Sequence, residues 1–121
     1  MTSMNKRDRS NEDDAHNLLP PSLEKILPAL YATEKIKAEE KIVHAKFFAP
    51  NTFWTWFVLE GQWNDDHEDF TFFGLVHGFE KEYSYFSLNA LESVGVKNPI
   101  SAIERDLYFT PTLLSICRLN K

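Results

Sequence analysis

Phe47–Leu88 runs FFAPNTFWTWFVLEGQWNDDHEDFTFFGLVHGFEKEYSYFSL. Within it, Phe53–Glu60 alternates bulky aromatic and β-branched residues, and the polar Gly61–Asp66 breaks the run. Asp69–His77 repeats the pattern until Gly78, and Tyr83–Leu88 adds a further short run. Just upstream, Ile42–Phe48 is apolar and ends at the turn pair Pro50-Asn51. Aromatic and β-branched runs bounded by turn residues read as antiparallel strands. The connections are too short for crossover helices, so parallel pairing is disfavoured. The spacing predicts an α+β fold: a four-stranded antiparallel meander whose strand order follows chain order.

The flanks supply the helices. Ser22 stands as an N-cap for a helix from Leu23, with Leu23, Ile26, Leu27 and Leu30 on one face. Ala32–Lys41 has good helix propensity but few apolar positions, and reads as a loop with one helical turn at most. Ser87 is a second N-cap candidate, for a short helix Leu88–Val94 stopped by Gly95. Ile103–Phe109 reads as a short extended piece against the sheet, and Thr112 as the cap of a last helical turn ending near Arg118. Together these form a C-terminal covering segment. Met1–Asn17 is polar and mixed in charge, so it is expected to lack fixed structure, leaving 18–121 as one domain.

Composition narrows the function classes. The chain has 121 residues, of which ten are Phe, four Tyr and three Trp, so the core is aromatic-rich. Its lone cysteine, Cys117, rules out a disulfide within the chain and argues against a Cys-based zinc site. No segment resembles a signal peptide or approaches membrane-spanning length, which leads us to expect a cytoplasmic protein. Net charge is −5, but Glu60–Glu92 alone carries eight acids against Lys81. No basic stripe of the kind nucleic-acid binders use is present, and direct nucleic-acid binding is not expected.

Six short strings follow in order: L-Y-A-T-E (Leu30 to Glu34), K-F-F-x-P (Lys46 to Pro50), W-T-W (Trp54 to Trp56), F-F-G (Phe72 to Gly74), Y-F-S-L (Tyr85 to Leu88) and E-R-D-L-Y-F (Glu104 to Phe109). As an ordered set they resemble the bacterial family known as domain of unknown function 2958, over Leu18–Leu119. The resemblance implies a small α+β protein of plasmids and integrative elements. It carries no activity, cofactor or site residue across.

Candidate sites come from the residues themselves. Trp54, Trp56 and Val58 share one strand face ending at Glu60, and Phe53, Thr55, Phe57 and Leu59 share the other. Both faces are apolar, whereas an antiparallel sheet with one wet face alternates apolar with polar. Either the C-terminal segment wraps the second face or an aromatic patch is left for a partner. Trp54 and Trp56 are therefore partner-binding candidates, joined by Asp65, Asp66 and Asp69 of the acidic loop. The plainer reading of that loop is a solvated turn.

Glu104-Arg105-Asp106 is the most chemical-looking cluster. In an extended piece its two acids share a face, as an acid–base pair needs. Packed between Ile103 and Leu107, Arg105 instead reads as half of a structural ion pair. No histidine pair has ligand spacing, no nucleophile elbow occurs, and four glycines do not make a phosphate loop. No metal, cofactor or catalytic residue is assigned. The expectation is a non-enzymatic interaction protein of a mobile element, binding another protein or a second copy of itself. Interference with a host defence system is a subtype that the acidic segment motivates. The alternative is a small enzyme using Glu104 and Asp106, with Tyr31, Glu34 and Arg105 nearby.

Overall fold

The computed structural model describes residues 9–120. Its centre is a five-stranded antiparallel sheet with strands β2 (Ala45–Phe48), β3 (Thr55–Trp63), β4 (Phe70–His77), β5 (Lys81–Ser87) and β6 (Glu104–Arg105). Their order is β5-β4-β3-β2-β6. The meander from β2 to β5 follows chain order as expected. The expected four strands become five because Glu104–Arg105 pairs with Phe47–Phe48 at the free edge of β2. A second correction concerns Ile42–Phe48. It breaks at His44, and the short β1 (Ile42–Val43) turns away to pair with β7 (Thr112–Leu113).

Helix α1 (Pro21–Ile26) starts two residues earlier than expected, and Ser22 is not its cap. Pro21 at the first helical position needs no N–H partner and already has a helical φ. The Ser22 hydroxyl instead donates to the Glu12 carboxylate. Ser87 does cap α2 (Leu88–Lys97), its Oγ accepting from the Ala90 N–H at 2.9 Å. That helix runs past Gly95, where a stop was expected. A Cβ at Gly95 would lie 2.8 Å from the Ala102 Cβ, so this glycine lets the returning chain pack against the helix. The C-terminal helix α3 (Leu114–Asn120) is longer than one turn and follows β7 directly.

Two clusters fill the two faces of the sheet. Phe47, Val58, Phe70 and Phe72 pack with Leu18, Leu19 and Leu23 from the N-terminal side and with Leu88 and Leu91 of α2. On the opposite face Phe57, Leu59 and Leu75 pack with Val43, Leu114 and Cys117. The C-terminal segment thus wraps part of the second face. The β4–β5 side of that face stays open, with Tyr83 and Tyr85 exposed.

Between Val58 and Glu60 the β3–β4 register shifts, with Val58 opposite Gly74 but Glu60 opposite Phe73. One residue is therefore extra on β3, the signature of a β-bulge. Strict alternation would put Glu60 on the face of Trp56 and Val58. The bulge turns it to the face of Phe57, Leu59 and Phe73, where it is 3% exposed.

Of the Met1–Asn17 segment, residues 9–17 make defined hydrogen bonds to the domain and residues 1–8 lie outside the described residues. The Ala15 carbonyl accepts from the Arg105 N–H at 2.7 Å. The Arg105 guanidinium donates to the carbonyls of Asn17 (2.7 Å), Glu12 (2.7 Å) and Asp14 (3.4 Å). Arg9 pairs with Glu92 of α2 at 2.9 Å. A polar segment with too few apolar side chains to order itself is held here by backbone hydrogen bonds to one arginine, a resource that composition does not reveal.

Candidate functional site

The bulged Glu60 anchors the site. Its carboxylate accepts from the Tyr31 N–H (2.8 Å), the Thr33 N–H (3.0 Å) and the Thr33 hydroxyl. These bonds draw Leu30–Glu34 onto the open side of the sheet. Tyr31 sits there at φ 71°, in the left-handed region that bulky residues seldom enter. Such a conformation costs on the order of 1 kcal/mol or more and persists only where its surroundings hold it. The charge-assisted bond from its own N–H to Glu60 does so. The Lys41 ammonium closes the other end of the loop, donating to the Thr33 carbonyl and hydroxyl. The Lys41 carbonyl in turn accepts from the Leu114 N–H at the start of α3 (2.9 Å).

The result is a pocket of about 370 Å³ lined by Tyr31, Glu34, Ala38, Lys41, Glu60, Phe73, Tyr83 and Tyr85. Phe73 packs against Tyr85 with ring centroids 4.9 Å apart, and Tyr31 meets Tyr85 at 6.2 Å. The Tyr31 hydroxyl hydrogen-bonded beside it, then partial desolvation and the negative charges of Glu60 and Glu34, push the Tyr85 hydroxyl above the usual tyrosine range.

The candidates from sequence separate. Tyr31 and Glu34 belong to this pocket. Arg105 and Asp106 line a different one, with Ser22, His44 and Phe109, so the groups of the enzyme alternative are not brought together. Glu104 lies 3.8 Å from the His16 ring, and Asp106 lies 4.0 Å from Lys46 and accepts from the Tyr108 N–H. Arg105 braces the N-terminal segment rather than an acid. In the loop before β4, Asp66 accepts from the Glu68 N–H. Asp69 accepts from the N–H groups of Phe70 and Asn89, tying the loop to the first turn of α2. Asp65 is exposed. Among the described residues no group of three His, Cys, Asp or Glu side chains is placed to hold a metal ion.

The tryptophans also differ from each other. Trp56 packs against the Phe47–Phe72 cluster. Trp54 lies over Gly78, where a Cβ would come within 2.3 Å of its ring, and meets Phe79 at 5.4 Å. Phe79 is 88% exposed. Trp54 and Phe79 therefore form a small aromatic patch at one end of the sheet, and the half-buried Trp56, 5.9 Å from Trp54, links that patch to the core.

Sequence reasoning did not find Glu60, Phe73, Tyr83 or Tyr85. The strings L-Y-A-T-E, F-F-G and Y-F-S-L contain three of the pocket's four rings, and only the fold shows that they meet. The family model described as "Protein of unknown function (DUF2958)" matches residues 18–117. The chain belongs to the DUF2958 family. No curated protein and no solved structure matches this DUF2958 chain. Among its described residues no helix is long and apolar enough to cross a membrane.

Proposed function

We propose that this DUF2958 protein is a non-enzymatic interaction module that binds another protein through the tyrosine pocket. The observation that supports it most is the convergence of Leu30–Glu34, Phe72–Gly74 and Tyr85–Leu88 on one open pocket with exposed rings. Tyrosine gives large contact area and a hydroxyl at low entropic cost, which suits it to anchoring partners. The deepest carboxylate, Glu60, already accepts three hydrogen bonds, so it serves the architecture rather than proton transfer. We place the protein in the cytoplasm as an accessory of a mobile genetic element, without direct contact to nucleic acid. The acidic balance of Glu60–Glu92 supports a subtype in which the partner belongs to a host defence system.

The test is affinity capture of the full chain from its host, with and without nuclease. A discrete protein should co-purify in both arms, and Tyr85→Ala should lose it while melting within a few degrees of the wild type. Retention by Tyr85→Ala at wild-type level would contradict the assignment of the pocket. Capture that disappears with nuclease would contradict direct protein binding.

A further inference from the structure

We infer that the tyrosine pocket is a cage for an alkylated ammonium group, carried on a protein side chain or on a free small molecule. This rests on the reading of the pocket as a binding site and names the chemistry it accepts. Three rings form a corner: Phe73 and Tyr85 are inclined at 49° with centroids 4.9 Å apart, and Tyr31 and Tyr85 at 56° and 6.2 Å. Tyr83 extends the wall, stacked at 6.2 Å on Phe73. A cation over an aromatic face is drawn to the ring quadrupole, and several rings around one space are the arrangement that holds quaternary ammonium groups.

The charges select the sign. Glu34 and Glu60 line the same space, and both act on the Tyr85 hydroxyl as negative neighbours. Lys41 lines the space too, and its bonds to the neutral Thr33 carbonyl and hydroxyl leave its charge in place, so one cation stands against the two carboxylates and the three sum to −1. The hydrogen bonds select the substitution. A bare ammonium needs acceptors for its N–H groups. The Glu60 oxygens at the base are already engaged by Tyr31 and Thr33, which leaves the Glu34 carboxylate as the one charged acceptor among the lining residues, against the three N–H groups of a bare ammonium. An ammonium whose protons are replaced by methyl groups needs no acceptor, offers an apolar surface to the rings and keeps its charge.

The experiment is a calorimetric titration of the full chain with choline and with its uncharged carbon isostere, 3,3-dimethylbutan-1-ol. Acetyl-trimethyllysine amide and acetyl-lysine amide form a second pair. Choline and trimethyllysine should bind saturably, each at least about tenfold tighter than its control. Tyr85→Leu should weaken both by a similar factor. Whichever of the two binds tighter identifies the source, a modified protein side chain or a free amine. Equal binding of the isostere would overturn the inference. So would no saturable binding of either methylated probe, or unchanged affinity in Tyr85→Leu. Loss of the captured partner in Tyr85→Ala together with failure of every ammonium probe would leave the protein-binding reading standing and refute the cage alone.

Discussion

Replacing Glu60 with alanine is expected to destabilise the fold by about 3 kcal/mol, because three donors lose a charged acceptor at once. For a domain of this size that lowers the melting temperature by roughly 10 °C or more. The Tyr31 N–H, the Thr33 N–H and the Thr33 hydroxyl all point at this one carboxylate. Glu60 is 3% exposed, so water reaches the vacated place poorly. Without the anchor, Tyr31 has no reason to stay at φ 71°, and the pocket wall it forms should loosen. Glu60→Gln keeps the volume and one acceptor oxygen but sets an amide donor against a donor, so it should lose about half as much. Thermal melts of both variants check this. A melting temperature within a few degrees of wild type for Glu60→Ala would show that the loop is held by something else.

A chain beginning at Leu18 should melt several degrees below the full chain, a loss of about 2 kcal/mol once the regained entropy of the freed residues is set against the lost hydrogen bonds. It lacks the carbonyls of Glu12, Asp14, Ala15 and Asn17 that Arg105 and its backbone engage. It also lacks Arg9, the partner of Glu92. Arg105→Leu in the full chain should produce a loss of similar size. Because the guanidinium bonds to Asn17, Glu12 and Asp14 are lost in both changes, the two should be non-additive when combined. Equal melting of the truncated and full chains, or simple addition of the two losses, would contradict the bracing role given to Arg105.

How much was legible follows from which physical signals are local. The strands β3, β4 and β5 announce themselves by alternation and by turn residues, and the Ser87 cap by a side chain three residues from its donor. The fifth strand was half visible: Glu104–Arg105 reads as extended, but its pairing with Phe47–Phe48 is a contact across more than fifty residues. The hydrogen bonds of residues 9–17 were not legible because they come from Arg105, far along the chain. The largest miss at the site was Glu60. A bulge has no composition of its own, and a one-residue shift moves every later side chain of β3 to the other face. Tyr31 and Glu34 were singled out but joined to Glu104 and Asp106, because spacing along the chain does not say which side of a sheet a loop crosses.

The most direct measurement places a photoreactive benzoylphenylalanine at one position at a time and asks which variant crosslinks the captured partner in the host. Position 85 replaces a ring of the pocket, position 54 a ring of the Trp54–Phe79 patch, and position 108 a tyrosine that is 94% exposed and lines neither. Binding through the tyrosine pocket predicts a crosslink from position 85 and none from 108. A crosslink from position 54 or 108 with none from 85 would put the partner on another surface and contradict the account.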